Sequence, residues 1–206
     1  MYHDLLFESA ETVFGARGFG GATMEKIAKE AGVSLKTLYV TYPSKQDLYD
    51  EVMRVRATEF LEQTAAAIEG VDDPLEQIRC GITAYVAFLL EHEDWLQIHL
   101  RGRIAWSFRP RGENAADAWA EGLDGYARVI AKGQEQGVFV EGDPAELSML
   151  AQALMQVQMA RAMELEERAV EGVADSIVVH VFRLLGVAPE HAVGASPVRG
   201  AATSEP

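Results

Sequence analysis

The sequence has a single cysteine, Cys80, so it has no intramolecular disulfide. A lone thiol excludes the small disulfide-stapled folds. Lying between Ile78 and Ile82 in a helical pattern, it reads as a buried structural group in a reducing, cytoplasmic compartment. Long apolar runs are also missing, and no stretch could cross a bilayer as a helix, so no membrane partner is expected. The opening residues, MYHDLLFESAE, carry acids where a secretory signal has cations and an unbroken apolar core. Strand-type alternation is not sustained anywhere, which excludes a substantial sheet. There is no phosphate-cradling glycine loop, nucleophile–base pair or metal signature of strength. No catalytic residue, cofactor or metal is therefore assigned. His92 and His99 stand seven apart near Glu91, Glu93 and Asp94, without the tighter spacing or cysteine partners of a zinc site.

Positive charge is scarce as well. The net charge is -14 over 206 residues, which as a single number argues against a nucleic-acid partner. Its distribution reverses that reading. Up to Lys45, five basic residues (Arg17, Lys26, Lys29, Lys36, Lys45) balance five acids (Asp4, Glu8, Glu11, Glu25, Glu30), so the whole deficit lies beyond Lys45. From Lys26 to Lys45 the balance is positive, four lysines against Glu30. A basic patch on an acidic body is what a local DNA-binding surface requires.

What the sequence has in abundance is helical periodicity. A first helix is predicted from Asp4 to Ala16, with Leu6, Ala10, Val13 and Phe14 on one face, ending in a turn at Gly18 to Gly21. Thr23 and Ser34 have the chemistry of N-caps for two short helices, ending at Gly32 and Tyr42. Pro43 and Ser44 then open a long helix to about Ile68. The runs DPLE (Asp73 to Glu76) and DPAE (Asp143 to Glu146) combine an Asp cap, Pro at the first helical position and Glu at the third. They start helices predicted to reach about Glu91 and Arg168. Between them lie helices around Trp95 to Ser107 and Ala115 to Gln136, and a last helix covers Ala174 to Leu185. The segment 188–206, with Gly, Ala, Ser and Pro and no apolar period, reads as a disordered tail.

The function is carried by TMEKIAKEAGVSLKTLYVTYPSK, Thr23 to Lys45. Gly32 permits a left-handed turn, Ala28 and Ala31 allow close helix approach, and Leu38 faces inward. The second short helix is too polar at its start for a core element and leaves Leu35, Lys36, Thr37, Val40 and Thr41 projecting outward. In a helix-turn-helix the first residues of that helix meet base edges in the major groove. Lys36 can donate to guanine O6 or N7, and the Thr37 methyl can meet a thymine methyl. Thr23 with its helix-start amides, the Tyr39 and Tyr42 hydroxyls, and Ser44 with Lys45 suit phosphates, which fix register but carry no sequence information.

The segment resembles the N-terminal region of TetR-like (TetR/AcrR) regulators: a helix ending in an aromatic, then G-x-x-x-T, then IA..AGVS....LY..F.SK..L. The sequence supplies Phe14, Gly18, Phe19, Thr23, Ile27, Ala28, Ala31, Gly32, Val33, Ser34, Leu38, Tyr39, Ser44, Lys45 and Leu48. It departs by carrying Lys36 where a small residue is common and Thr41–Tyr42 for a common His–Phe pair, and Met1 to His3 carry no lysine or arginine of the basic arm that often precedes the first helix.

The resemblance implies an all-α protein. A three-helix DNA-binding domain (1–50) would dock on a six-helix effector-binding and dimerisation domain (51–187). It also implies a double-stranded DNA operator, a homodimer through the last two long helices, with SIVVHVFRLLGV (Ser176 to Val187) as the closing one, and a largely apolar small-molecule effector. Repression is the family's usual mode. Residues expected to line the effector pocket are Phe88, Trp95, His99, Trp106, Trp119, Tyr126, Gln152 and Met155. The four arginines of RGRIAWSFRPRG (Arg101 to Gly112) read as a solvated loop, with binding of an anionic effector as the other reading. Two rivals stand beside this one. The first is a helical enzyme or binding protein with a vestigial DNA motif. The second is a regulator answering to a protein partner.

Overall fold

The computed structural model describes residues 2–101 and 113–188, with side chains from 3 to 101 and from 122 to 188. The described residues form nine α-helices and no strand: α1 (Tyr2–Gly21), α2 (Met24–Glu30), α3 (Leu35–Thr41), α4 (Lys45–Ile68), α5 (Pro74–Glu91), α6 (Glu93–Arg101), α7 (Glu113–Glu135), α8 (Pro144–Glu164) and α9 (Val170–Leu184). The course of the chain from Gly102 to Gly112, which contains Trp106, lies outside the described residues, as does 189–206.

The helix ends follow from local chemistry. The Asp73 and Asp143 carboxylates accept from the N–H groups of Leu75 (3.0 Å) and Ala145 (2.9 Å), with Pro74 and Pro144 opening the helices. Thr23, Ser34 and Ser44 cap α2, α3 and α4 as expected. The regular part of α1 breaks at Gly18 (φ 65°), after which one further turn carries the chain to Gly21. Two ends differ from expectation. α8 stops at Glu164 rather than near Arg168, because the turn that follows passes through Glu166 in a left-handed conformation (φ 57°), which no helix can propagate. α9 starts earlier, at Val170, with Ala169 at a cap position lacking a side-chain bond, an end that leaves no mark in the sequence.

α1 packs on α2, α4 and α6, α2 on α3, and α5 on α4, α6, α7 and α9; α8 packs on α7 and α9. One continuous core runs through these contacts, from Leu6, Phe14, Ile27 and Leu38 at one end to Ile82, Phe88, Met159, Ile177 and Phe182 at the other. Cys80 is half-buried between the buried Ile78 and Ile82, more open than the pattern suggested, because it sits at the edge of the face that α5 turns inward. No described helix is long and apolar enough to cross a membrane.

Candidate functional site

Helices α2 and α3 are held as a unit by their caps. Thr23 Oγ1 accepts from the Lys26 amide at 3.3 Å. Gly32 adopts φ 64°, which turns the chain so that the Val33 amide reaches the Ala28 carbonyl at 3.0 Å. Ser34 Oγ accepts from the Thr37 amide at 3.1 Å and lies 2.8 Å from Thr37 Oγ1, so Thr37 is fixed in rotamer. Ile27 and Leu38 are fully buried, with Ala28 and Ala31 pressed between the helices. The far side of α3 is open: Lys36, Tyr39, Val40 and Thr41 are exposed, and Val40 is 78% exposed. Val40 shares that open face with Lys36, Tyr39 and Thr41.

Three residues expected at the DNA surface are otherwise engaged. Leu35 is half-buried and packs on the core, because its position one turn before Leu38–Tyr39 folds it under the helix. Tyr42 is 6% exposed, and its hydroxyl pairs with His3 Nε2 at 2.8 Å; burial raises its pKa. Lys45 donates to the carbonyls of Phe19 (2.7 Å) and Ala22 (3.0 Å), and its ammonium sits 4.2 Å from the centre of the Phe19 ring. It therefore ties α4 to the end of α1, satisfying carbonyls left unpaired where α1 breaks. Lys26 likewise bonds the Gly21 carbonyl at 2.8 Å. Near Thr23, the Glu25 carboxyl is held below its ordinary range by its own backbone amide and by the Thr23 hydroxyl.

Two tethers join this module to the body. Arg56 of α4 grips the Glu11 carboxylate of α1 with two bonds (2.8 and 2.7 Å), bonds Glu59 at 2.6 Å and lies over the Phe7 ring. Glu11 raises the guanidinium's pKa further. Thr12 Oγ1 donates to Asp94 Oδ2 of α6 at 2.8 Å. Neither tether was visible in the sequence, since both join residues far apart in the chain.

The body holds a nest of rings. Phe60 of α4 meets Tyr85 (5.9 Å), Phe88 (5.4 Å) and Trp95 (6.0 Å), while Trp95 meets Phe88 (5.5 Å) and His99 (4.3 Å). Phe88, Trp95 and His99 are thus brought together. Tyr126 lies on α7, and Gln152 (half-buried) and Met155 (buried) lie on α8, which packs on α7 and α9. The side chain of Trp119, on α7, is outside the described residues. Trp95 Nε1 and the Tyr126 hydroxyl are sealed from solvent with no hydrogen-bond partner among the described residues, a cost of about 1–3 kcal/mol each. A cleft of 170 Å³ between α8 and α9, lined by Gln158, Arg161, Glu167 and Ser176, includes none of the residues expected to hold an effector. Among the described residues no three His, Cys, Asp or Glu side chains are grouped as metal ligands.

Two capped short helices around a left-handed glycine, the second with an exposed reading face, define a helix-turn-helix DNA-binding protein with a helical body. Residues 6–52 match the family described as bacterial regulatory proteins, tetR family. An HTH-type transcriptional repressor of Streptomyces coelicolor is 27% identical over 143 residues, 68% of each chain. The HTH-type transcriptional activator FasR of Mycolicibacterium smegmatis is 32% identical over 88 residues, 43% of this chain and 40% of that one. The fold matches the crystal structure of AibR in complex with isovaleryl coenzyme A and operator DNA at TM-score 0.72 and 19% identity, covering 88% of this chain and 98% of that one. Residues 6–52 thus carry the tetR-family regulatory domain, and the chain is similar to DNA-binding transcriptional regulators of that family.

Proposed function

We propose that the chain is a homodimeric repressor whose operator is released when a largely apolar small molecule enters the ring nest of the body. The observation that carries the reading is the bare face of α3, where Lys36, Tyr39, Val40 and Thr41 stand exposed on a helix fixed by its Ser34 cap. Lys36, Thr37 and Val40 read base edges. Thr23, Ser34, Tyr39 and Thr41, with the start of α2, supply phosphate donors. Tyr42, Lys45 and Leu35 hold the module in shape. Residues 1–50 read DNA and 51–187 bind effector and partner, with α4 crossing the boundary.

Dimerisation through α8 and α9 is supported by Leu150 (45% exposed), Val157 (52%) and Leu165 (54%), which recur every two turns along α8 and its C-terminal cap. Two-fold sites require recognition helices about 34 Å apart. An effector that binds the released state better shifts the population away from that spacing through α4 and its tethers to α1. The complex of AibR with both a small molecule and operator DNA supports this pairing of roles.

Fluorescence anisotropy of the full chain on duplex DNA from beside its own gene tests the reading. It would be run at two salt concentrations beside a scrambled duplex. Binding that prefers the native duplex, weakens with salt and falls in Thr37→Ala is expected. Equal, weak binding to both duplexes and to a library of genomic fragments would overturn it.

A further inference from the structure

We propose that the effector is an uncharged molecule with an apolar body and one hydrogen-bond acceptor, which pairs with the indole N–H of Trp95. The inference rests on the effector reading above and names the chemistry of that site. An indole N–H can only donate. That of Trp95 is sealed from solvent and has no acceptor among the described residues, although its ring is wedged between Phe60, Phe88 and His99. Buried donors are nearly always paired, so one left open beneath aromatic walls marks the place of an acceptor that the described residues do not supply. Tyr126, on a helix that packs on both α4 and α5, has a second sealed and unpartnered hydroxyl.

The surroundings select against an anion. His99 Nδ1 lies 2.9 Å from the Trp95 carbonyl, which can only accept, so Nδ1 carries the proton. Burial holds the ring's pKa below its ordinary value, leaving it neutral at pH 7. Arg56, the cation nearest in sequence to Phe60, is committed to Glu11 and Glu59. A carboxylate placed among these rings would lose its hydration, and Phe60, Phe88 and neutral His99 themselves offer it no counter-charge. A ketone, ester or amide oxygen would complete the donor at no such penalty. A site built to hydrogen-bond a ligand also rejects the analogue that lacks the partner atom.

The test uses the ¹⁵N-labelled full-length protein, whose three tryptophans give three indole N–H signals; Trp95→Phe identifies the one of interest. Three probes share a chain length: 2-octanone, 2-methyl-1-octene (oxygen replaced by CH₂) and octanoate. The ketone should move the Trp95 signal downfield and bind about tenfold tighter than the alkene, the worth of one neutral hydrogen bond. That preference should vanish in Trp95→Phe, and the wild-type ratio alone decides if the variant does not fold. Equal affinity for ketone and alkene, or a preference for octanoate, would overturn the acceptor inference and leave the pocket standing. If no probe perturbs any indole signal, both the inference and the pocket reading fall.

Discussion

Gly15 of α1 lies against the backbone of Asp94 at the start of α6, so closely that a Cβ there would stand 2.7 Å from the Asp94 carbonyl oxygen. The contact sets how near the DNA-reading module comes to the body. It stands beside Thr12, which bonds the Asp94 side chain, and one residue from Trp95 in the ring nest.

Gly15→Ala must therefore push α1 and α6 apart, since the clash is with backbone and no rotamer relieves it. A loss of about 2 kcal/mol is expected, a fall in Tm of about 4–8 °C. Thermal melts at fixed protein concentration check this. An unchanged Tm would mean that the helices are less tightly docked than their geometry states.

Glu11→Ala leaves the half-sequestered Arg56 with only the exposed Glu59 as counter-charge. Because removing one partner of a buried pair strands the other, a destabilisation of about 3 kcal/mol is expected. Replacing both residues together, Glu11→Leu with Arg56→Met, should recover most of it in chemical denaturation.

Lysines 36 and 45 should separate cleanly. Lys36→Ala should reduce the slope of log affinity against log salt by about one and relax preference for the native duplex. Lys45→Met should lower Tm by releasing the end of α1 while leaving that slope near wild type, because its ammonium is already bonded to Phe19 and Ala22. Thr37→Ala should cost about 1 kcal/mol of discrimination, roughly fivefold in anisotropy titrations.

Burial depresses the pKa of His99, so below its unfolded value of about 6.5 the unfolded chain binds a proton that the native state refuses. Stability contributed by neutral His99 is complete above that pH and is lost as pH falls through it. Tm should drop between pH 7 and pH 5.5, and His99→Gln should flatten that part of the profile. An unaltered profile in the variant would place His99 in solvent.

Much of this was legible beforehand because it depends on neighbours in the chain. Thr23, Ser34, Asp73 and Asp143 cap the helices they were expected to cap, since an N-cap bonds an amide two or three residues on. The break at Gly18 and the turn at Gly32 follow from the freedom of a residue without a side chain. The meeting of Phe88, Trp95 and His99 also follows from local spacing across the short α5–α6 turn.

Residue type and spacing thus determined the all-helical fold, the two-helix module and most of the bare face of α3, Leu35 excepted. Only the tertiary structure decided what the longer side chains do. Lys45 turned from a phosphate contact into a clasp on α1, Tyr42 from a surface hydroxyl into a partner of His3, and Arg56 and Asp94 into tethers. The physical reason is reach. A cap acts within one helical turn, whereas an ammonium, a guanidinium or a phenol acts wherever packing brings an acceptor, and that is fixed only when α1, α4 and α6 have met.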